Sequence, residues 1–409
     1  MWFYVDRVWA PTEESHYSDL YPSWYATREL LLHGRDPYGP QVSQEIQVWR
    51  YGRAVRPGEQ QNENRFAYPL YIGFLLAPVI HLPFPQVVRL FRWILPLCAL
   101  SSTLLWVHML RWRCNRAFLG SLTLLSFGNF PVLESIYLQQ PVLLAATFLA
   151  GAGACLTAGH LGLAGVLLAL ATVKPQLTVL LAPWLLVWAV SEWRSRQALV
   201  WAFALTMLAL VLVSLMFEPG WIREFVGGLR AYQRYTGNFS LLQLLFGPIG
   251  NVIVSLGLVS AATALGWKLR HAPFMSREFA GYLGLCLVVT VVVMPAIYPT
   301  YQLIVLPAIF FLLREWEMIW SRGRVARLAL FASAALIAWP WLGALSLMIA
   351  SAFQPLSVIR RMWLFPVSSV LLVPLSLLIV FATVTPPLFA SRGTARQSSR
   401  SNVHTSGVA

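Results

Sequence analysis

From Phe84 onward the sequence is a succession of apolar runs separated by short gaps, several of them rich in arginine. Lipid offers no partner for an exposed N–H or C=O, so an apolar run long enough to cross a bilayer has to close its hydrogen bonds as a helix. Composition agrees. The 409 residues are 58% hydrophobic and 11% charged, against about 25% charged in a soluble domain. The expected fold is an all-α polytopic membrane protein. Spans are predicted near 88–110, 117–130, 138–158, 161–173, 176–190, 197–217, 249–268, 279–294, 300–313, 328–349 and 366–388, eleven in all. Several fall short of the ~20 residues of a straight crossing, which is tolerated where short segments line a cavity or pack inside the bundle. The run "PLYIGFLLAPVIHLP" at 69–83 carries prolines at both ends and one inside, so it is predicted to be an interfacial or re-entrant helix.

Basic residues orient the bundle. The gaps "RWRCNR" (111–116), "SEWRSRQ" (191–197), "KLRHAPFMSR" (268–277) and "REWEMIWSRGRVAR" (314–327) are expected to be cytoplasmic. The outward side then receives 1–87, 131–137, the turn at Lys174, 218–248, 295–299 and 350–365, with "IRRMW" (359–363) the one violation. Three regions follow: a first outer loop with interfacial helices (1–87), a transmembrane bundle (88–390), and a basic, Ser-rich tail (391–409) expected to be disordered and cytoplasmic. "MWFYVDRVWAPTEES" lacks the apolar core and cleavage site of a signal peptide. Eleven spans with an inner C-terminus leave the N-terminus outside. The simplest expectation is that Met1 is an internal methionine and that a twelfth, first span lies upstream.

The net charge of +14 follows this topology and does not point to a nucleic-acid partner. Four scattered cysteines (Cys98, Cys114, Cys155, Cys286) imply neither a disulfide framework nor a zinc site. No Gly-rich nucleotide loop, metal cluster or Ser/His/Asp signature is present, and no cofactor is expected. The carboxylates are informative. All three aspartates (Asp6, Asp19, Asp36), and nine of the sixteen acidic residues, precede Phe66.

"SDLYPSWYATRELLLHG" reads as a helix, with Ser18 or Asp19 as N-cap, Pro22 in the first turn and Gly34 as the stop, before a turn at "RDPYG". Two readings stand at Asp19. It caps the helix, or Tyr21, Trp24 and Tyr25 hold it at the membrane face as a carboxylate that accepts a proton from a hydroxyl nucleophile. Lys174, one of only two lysines, precedes Pro175 between two short apolar runs. It either snorkels to the interface or serves as a cation for a lipid-linked phosphate. Glu134, Tyr137, Gln139 and Gln140 mark the outer end of one span, and Tyr298, Tyr301 and Gln302 that of another. Amides there suit sugar hydroxyls or hydrogen bonds between helices, and tyrosines suit an aromatic belt. Arg230 and Arg234, four apart, face a phosphate or solvent.

The order of these pieces resembles the GT-C superfamily of glycosyltransferases that use polyprenyl-phosphate sugars, and within it glycosyltransferase family 87, the bacterial α-mannosyltransferase-like proteins. The resemblance rests on Asp19-Leu20, Leu30 to Gly34, Asp36-Pro37-Tyr38, Tyr68-Pro69, Leu82-Pro83-Phe84, Gln139 or Gln140, and Lys174-Pro175, and covers roughly residues 15–315. It implies a multi-pass protein of the bacterial inner membrane with its site facing the periplasm or outside, working in cell-envelope glycolipid biosynthesis. It implies a hexosyltransferase with Asp19 as catalytic base, Lys174 and Arg230 on the donor phosphate, and Asp36, Tyr68, Gln139, Gln140, Tyr298 and Tyr301 on the sugar or acceptor, Asp36 by orienting its loop. A lipid-linked hexose, by the family's suggestion mannose, would pass with inversion to a hydroxyl of a glycolipid or glycan, with no metal required. One departure stands out. The family often carries Trp and His near a late outer span end, where this chain reads "IYPTYQLIVLP". Two other readings remain: a transporter or flippase of lipid-linked saccharides, which internal hydropathy repeats would favour although none is seen, and an inactive scaffold of the same fold, prompted by the absent His.

Overall fold

The computed structural model describes residues 1–10, 18–56, 59, 61–235, 240–274, 276–296 and 298–388. Among the described residues there are helices and no strand. A π-helical turn, Tyr4–Trp9, opens the chain. Helices α1 (Leu20–His33) and α2 (Pro40–Tyr51) fill the first loop, and each stops on a glycine of positive φ, Gly34 at 63° and Gly52 at 69°. A left-handed residue ends a helix at little cost when it has no Cβ. The proline-bounded run yields only a short helix, α3 (Ile72–Leu76), and a 3-10 turn, Ala77–Val79.

The bundle begins with α4 (Phe84–Met109), α5 (Arg116–Phe127), α6 (Phe130–Tyr137), α7 (Val142–Thr157) and α8 (Leu161–Ala171). Between α5 and α6 the chain bends by 54°, and Asn129 caps the second piece by accepting the Val132 N–H at 3.0 Å. Next come α9 (Pro175–Thr178), α10 (Leu181–Val190), α11 (Trp193–Phe217) and α12 (Trp221–Tyr235). Helix α13 (Leu241–Lys268) kinks at Gly247, where φ is 70°, ahead of Pro248. Helix α14 (Arg277–Val293) is followed by a 3-10 stretch, Pro299–Val305, that runs into α15 (Leu306–Arg314). The chain closes with α16 (Trp316–Trp320), α17 (Arg324–Ala350), α18 (Leu356–Arg361), α19 (Leu364–Val367) and α20 (Val373–Leu388). The tail from Ser391 lies outside the described residues.

Among the described residues, five stretches are long and apolar enough to cross a membrane: α4, α11, α13, α17 and Leu356–Val384. Counting the bent α5–α6 pair as one span makes six. Other predicted spans take the form of short apolar helices, namely α7, α8, α10 and Pro299–Arg314. Pro141 and Pro299 stand at the starts of two such pieces, and Pro175 begins α9 between two others, where a missing N–H and a fixed φ stop a helix from running through. The long helices look outward. On α11, Leu205, Leu208, Leu212 and Met216 are exposed, and on α13 Ile249, Val252, Ile253 and Leu256. Rows of this kind suit lipid and not water, so the chain is a membrane protein. Helix α14 is instead enclosed, with Phe279, Cys286, Leu287 and Val288 fully buried. Close backbone approach holds α8 against α11. A Cβ on Gly165 of α8 would lie 2.4 Å from the Leu199 carbonyl oxygen of α11, so only glycine permits this crossing.

The two ends of the bundle differ. At one end the arginine-rich gaps meet one another. Arg277 pairs with Glu315 at 2.9 Å, Arg314 donates to the Leu110 carbonyl at 2.5 Å, and the Trp188 indole donates to the Ala272 carbonyl at 2.9 Å. The other end holds a cavity.

Candidate active site

The cavity measures about 480 Å³. Every gap that the charge pattern assigns to the outer side contributes to its wall. Asp19 and Tyr68 come from the first loop, Glu134 from the 131–137 gap, Lys174 from the turn before α9, Phe225 and Leu229 from α12, Tyr298 and Tyr301 from the start of the 3-10 stretch, and Trp363 from the gap before α19. None of the four arginine-rich gaps reaches it.

At its wall an amide joins a carboxylate to an ammonium. Asp19 stands at the N-cap position of α1, yet its side chain makes no capping bond. Ser18 Oγ accepts the Leu20 N–H instead, at 3.3 Å. The Asp19 carboxylate accepts from Gln140 Nε2, and its backbone N–H donates to the Leu138 carbonyl at 2.9 Å. Gln140 Oε1 in turn accepts from Lys174 Nζ at 3.0 Å. Of the two glutamines left open by the sequence, Gln140 therefore reaches the cavity. Gln139 has a φ of 51° and folds back to donate to the Tyr137 carbonyl.

Lys174 is only 4% exposed. Its Nζ lies 5.0 Å from the Tyr301 ring centroid and 5.6 Å from that of Tyr68, two cation–π contacts. A buried ammonium needs such partners, because its desolvation in a dry interior costs several kcal/mol, on the order of 3–5 when one partner of a buried pair is removed. Tyr68 is held from behind: the Tyr38 hydroxyl donates to the Tyr68 carbonyl at 2.7 Å. Burial first, and then the Asp19 carboxylate, push the Tyr68 phenol well above its usual range, so the ring stays neutral beneath the cation. Gln176 joins Tyr301 in the cavity wall, and the Tyr298 and Tyr301 rings meet edge to face at 5.6 Å.

Two expected site residues lie elsewhere. Asp36 is absent from the wall. Its Oδ1 accepts the Tyr38 N–H at 2.8 Å, a local turn that aims Tyr38 at Tyr68, which agrees with an orienting role and not with contact to a sugar. Arg230 is exposed on α12 and borders a separate shallow groove with Arg223, Gly227, Ile222 and Val226. The same helix turns Phe225 and Leu229 to the cavity. The Arg234 side chain lies outside the described residues. Gln302 donates to the Val370 carbonyl at 2.5 Å, away from the wall, and the Tyr137 ring meets Trp9 edge to face at 5.4 Å.

The wall also includes residues that sequence reasoning passed over, notably Trp9, Asn62, Asn64, Arg65 and Trp363. Trp363 falls in "IRRMW", the one gap that broke the charge pattern. The polar loop residues gave no such signal.

The arrangement offers a carboxylate as proton acceptor, a cation as anion partner, an amide that keeps their side chains apart, and aromatic walls that suit the faces of a sugar ring. Residues 66–295, more than half of the chain, match the family model of glycosyltransferase family 87. Asp19 precedes that segment, and Tyr298 and Tyr301 follow it. No curated protein and no solved structure matches the chain.

Proposed function

The chain belongs to glycosyltransferase family 87, and on that premise we propose that the cavity transfers a hexose from a polyprenyl-phosphate donor to an acceptor hydroxyl, with Asp19 as the base. The observation that carries this reading is the chain of hydrogen bonds from Asp19 through Gln140 to Lys174 in the cavity wall.

Asp19 takes the proton of the acceptor hydroxyl. The freed oxygen attacks the anomeric carbon, and the bond from that carbon to the phosphate oxygen breaks. The electron pair leaves with the polyprenyl phosphate, the proton stays on the Asp19 carboxyl, and a single displacement inverts the anomeric centre. Lys174 meets the charge that builds on the departing phosphate. An ammonium has three N–H donors, and Gln140 takes one of them. The Gln140 amide stops Asp19 and Lys174 from closing into a direct ion pair, which would blunt both the base and the cation. Tyr68 and Tyr301 flank the ammonium and exclude water from it, which strengthens its effect on an anion. The donor is a co-substrate. The arginine-rich gaps at the opposite end support reading the cavity end as the outer face, and mannose is the first sugar to try.

The test is transfer in membranes from radiolabelled polyprenyl-phosphate-mannose, comparing wild type with Asp19→Asn. A general base contributes about 10²–10⁴ in rate, and a loss of that size in a variant that still extracts as a folded protein is expected. Undiminished transfer by the Asn variant would remove Asp19 from the role. Absence of transfer from any polyprenyl-phosphate hexose would turn attention to saccharide transport by the same cavity.

A further inference from the structure

Between α2 and Tyr68 the chain passes the cavity and lines it with Asn62, Asn64 and Arg65, ahead of the residues matched to the family. Nothing in the transfer chemistry uses this loop, yet it is held firmly. Three side chains of α2 reach across to it. Gln47 Nε2 donates to the Glu63 carbonyl at 2.9 Å. The Tyr51 hydroxyl donates to the Asn62 carbonyl at 2.8 Å. Arg50 Nη1 donates to Asn64 Oδ1 at 3.2 Å. The other face of the Gln47 amide accepts the Val55 N–H at 2.9 Å, so this buried glutamine is bonded at both ends. Asn62 Oδ1 accepts the Asn64 N–H at 2.9 Å. This shapes a turn in which Asn64 takes a φ of 45°, a conformation that asparagine and glycine adopt more readily than other residues.

The outcome is an oriented amide. Asn64 is 8% exposed and lines the cavity. Arginine can only donate, so the Arg50 contact fixes Oδ1 on that side and leaves Nδ2 on the other. That Nδ2 is buried and finds no acceptor among the described residues. A buried donor without a partner is costly to the empty protein. It is also the feature that lets a site tell a ligand bearing an oxygen at the right place from one that lacks it.

We propose that Asn64 is a specificity-determining residue for the acceptor, its Nδ2, covered in the empty protein, donating to a hydroxyl or ring oxygen of the acceptor sugar once a covering neighbour gives way, with Asn62 and Arg65 forming the same subsite. The acceptor is favoured over the donor sugar for two reasons. The loop belongs to the first outer segment, which also supplies Asp19, the group that must meet the acceptor hydroxyl. The donor's phosphate is accounted for at Lys174, on the side formed by the bundle. This inference rests on the transferase reading of the cavity and adds to it the class of ligand that the loop takes, a polyhydroxylated acceptor.

Binding and turnover test it separately. The protein is placed in nanodiscs and titrated with octyl hexosides (mannoside, glucoside and galactoside) below their micelle concentrations, following tryptophan fluorescence, since Trp9 and Trp363 line the cavity. The titration uses the Asp19→Asn background, so that binding is read without reaction. Asn64→Gly suits the positive φ and removes the amide, and its thermal midpoint reports whether the loop keeps its fold. Asn64→Asp keeps the shape and replaces the N–H donor with an acceptor. Both variants are expected to bind the preferred hexoside about tenfold more weakly, the worth of one hydrogen bond of about 1.4 kcal/mol. In the transfer assay they should raise the acceptor KM and leave the donor KM in place. Unchanged affinity in a folded Asn64→Gly protein, a shift confined to the donor KM, or no binding of any octyl hexoside would overturn the proposal. Full transfer by Asp19→Asn with weakened binding by Asn64→Gly would instead overturn the base assignment and leave this subsite standing.

Discussion

The two ends of this bundle put their charges to different uses. At the arginine-rich end, cations are numerous, mostly exposed, and engaged with nearby carbonyls and carboxylates, as in Arg277 with Glu315 at 2.9 Å and Arg327 with the Trp320 carbonyl at 2.8 Å, Arg196 being a buried exception. At the cavity end a single lysine is almost wholly buried, stacked between two tyrosine rings and joined to an aspartate through one amide. Exposed ion pairs are worth little, about 0–1 kcal/mol, because water and salt screen them. A buried lysine is expensive and persists only where its surroundings over-determine it. One end carries the charge excess from which the orientation was expected. The other gathers the few charges on which the proposed transfer rests.

The comparison can be broken most directly at Lys174. Lys174→Met should lower transfer by about 10²–10³, the usual cost of removing one electrostatic contact to a developing anion. Lys174→Arg should recover only part of it, since a planar guanidinium does not replace a point charge between two rings. Initial rates under donor saturation measure both. Equal activity of all three proteins would mean that the cavity end holds its lysine for structure alone.

The next effect concerns the scaffold that both ends share. Gly165→Leu would drive a side chain into the Leu199 carbonyl of α11, and overpacking of this kind costs about 1–3 kcal/mol. A clear drop in thermal midpoint, with residual activity in the fraction that stays folded, is expected. A midpoint equal to wild type would show that α8 and α11 do not cross as closely as the structure has them.

Arg277→Gln should do much less. Glu315 keeps Arg314 at 3.0 Å, so the change should stay within about 0.5 kcal/mol, the usual range for surface substitutions. Transfer should be unaltered, and activity loss in a stable Arg277→Gln protein would end the division of labour between the ends.

The smallest effect is a titration in the first loop. Arg35 bonds Glu45 at 2.7 Å and, with Tyr25 helping, holds that carboxyl below its ordinary value. A carboxyl whose folded pKa is depressed adds stability above its unfolded pKa, about 4.3, and loses it as pH falls through the lower folded value. The pair is partly exposed, so the gain is a few tenths of a kcal/mol at about neutral pH. Chemical denaturation of wild type against Glu45→Gln should show that small gap near neutrality and its closure in acid. A gap that widens in acid would contradict the sign.

Much of this was legible beforehand, for one reason. In an apolar chain a polar residue is conspicuous. Asp19 and Lys174 stood out as charges beside apolar runs, and the structure joins them through Gln140. The stop at Gly34 and the short helix between Pro69 and Pro83 follow from local rules of glycine and proline, and the charge pattern grouped together the gaps that the structure gathers around one cavity. Resolution was lost wherever the answer depended on which way a helix or turn faces. Gln139 and Gln140 are adjacent, and only the positive φ of Gln139 decides between them. Arg230 and Phe225 share α12, and packing sends the first outward and the second to the cavity. Asn64 had no contrast to reveal it, because a polar residue in a polar loop looks ordinary until α2 pins it against a wall. Span number suffered likewise. Among the described residues five or six stretches are long enough to cross, and short pieces such as α8 and α10 depend on neighbours that hydropathy does not see.

The sequence by itself determined the medium and the helical class, and it told apart two sets of gaps by their arginines. Backbone hydrogen bonds have to be closed in lipid, helices stop at glycine and proline, and arginines resist translocation. These are local properties, and a reader of residues in order can apply them. Only the tertiary structure decided that Gln140 bridges Asp19 to Lys174, that Tyr68 and Tyr301 cover the ammonium, that Asp36 serves Tyr38, and that α2 aligns Asn64. Each depends on side chains far apart in the chain meeting within a few ångströms, and that distance is set by packing, which is cooperative over the whole bundle.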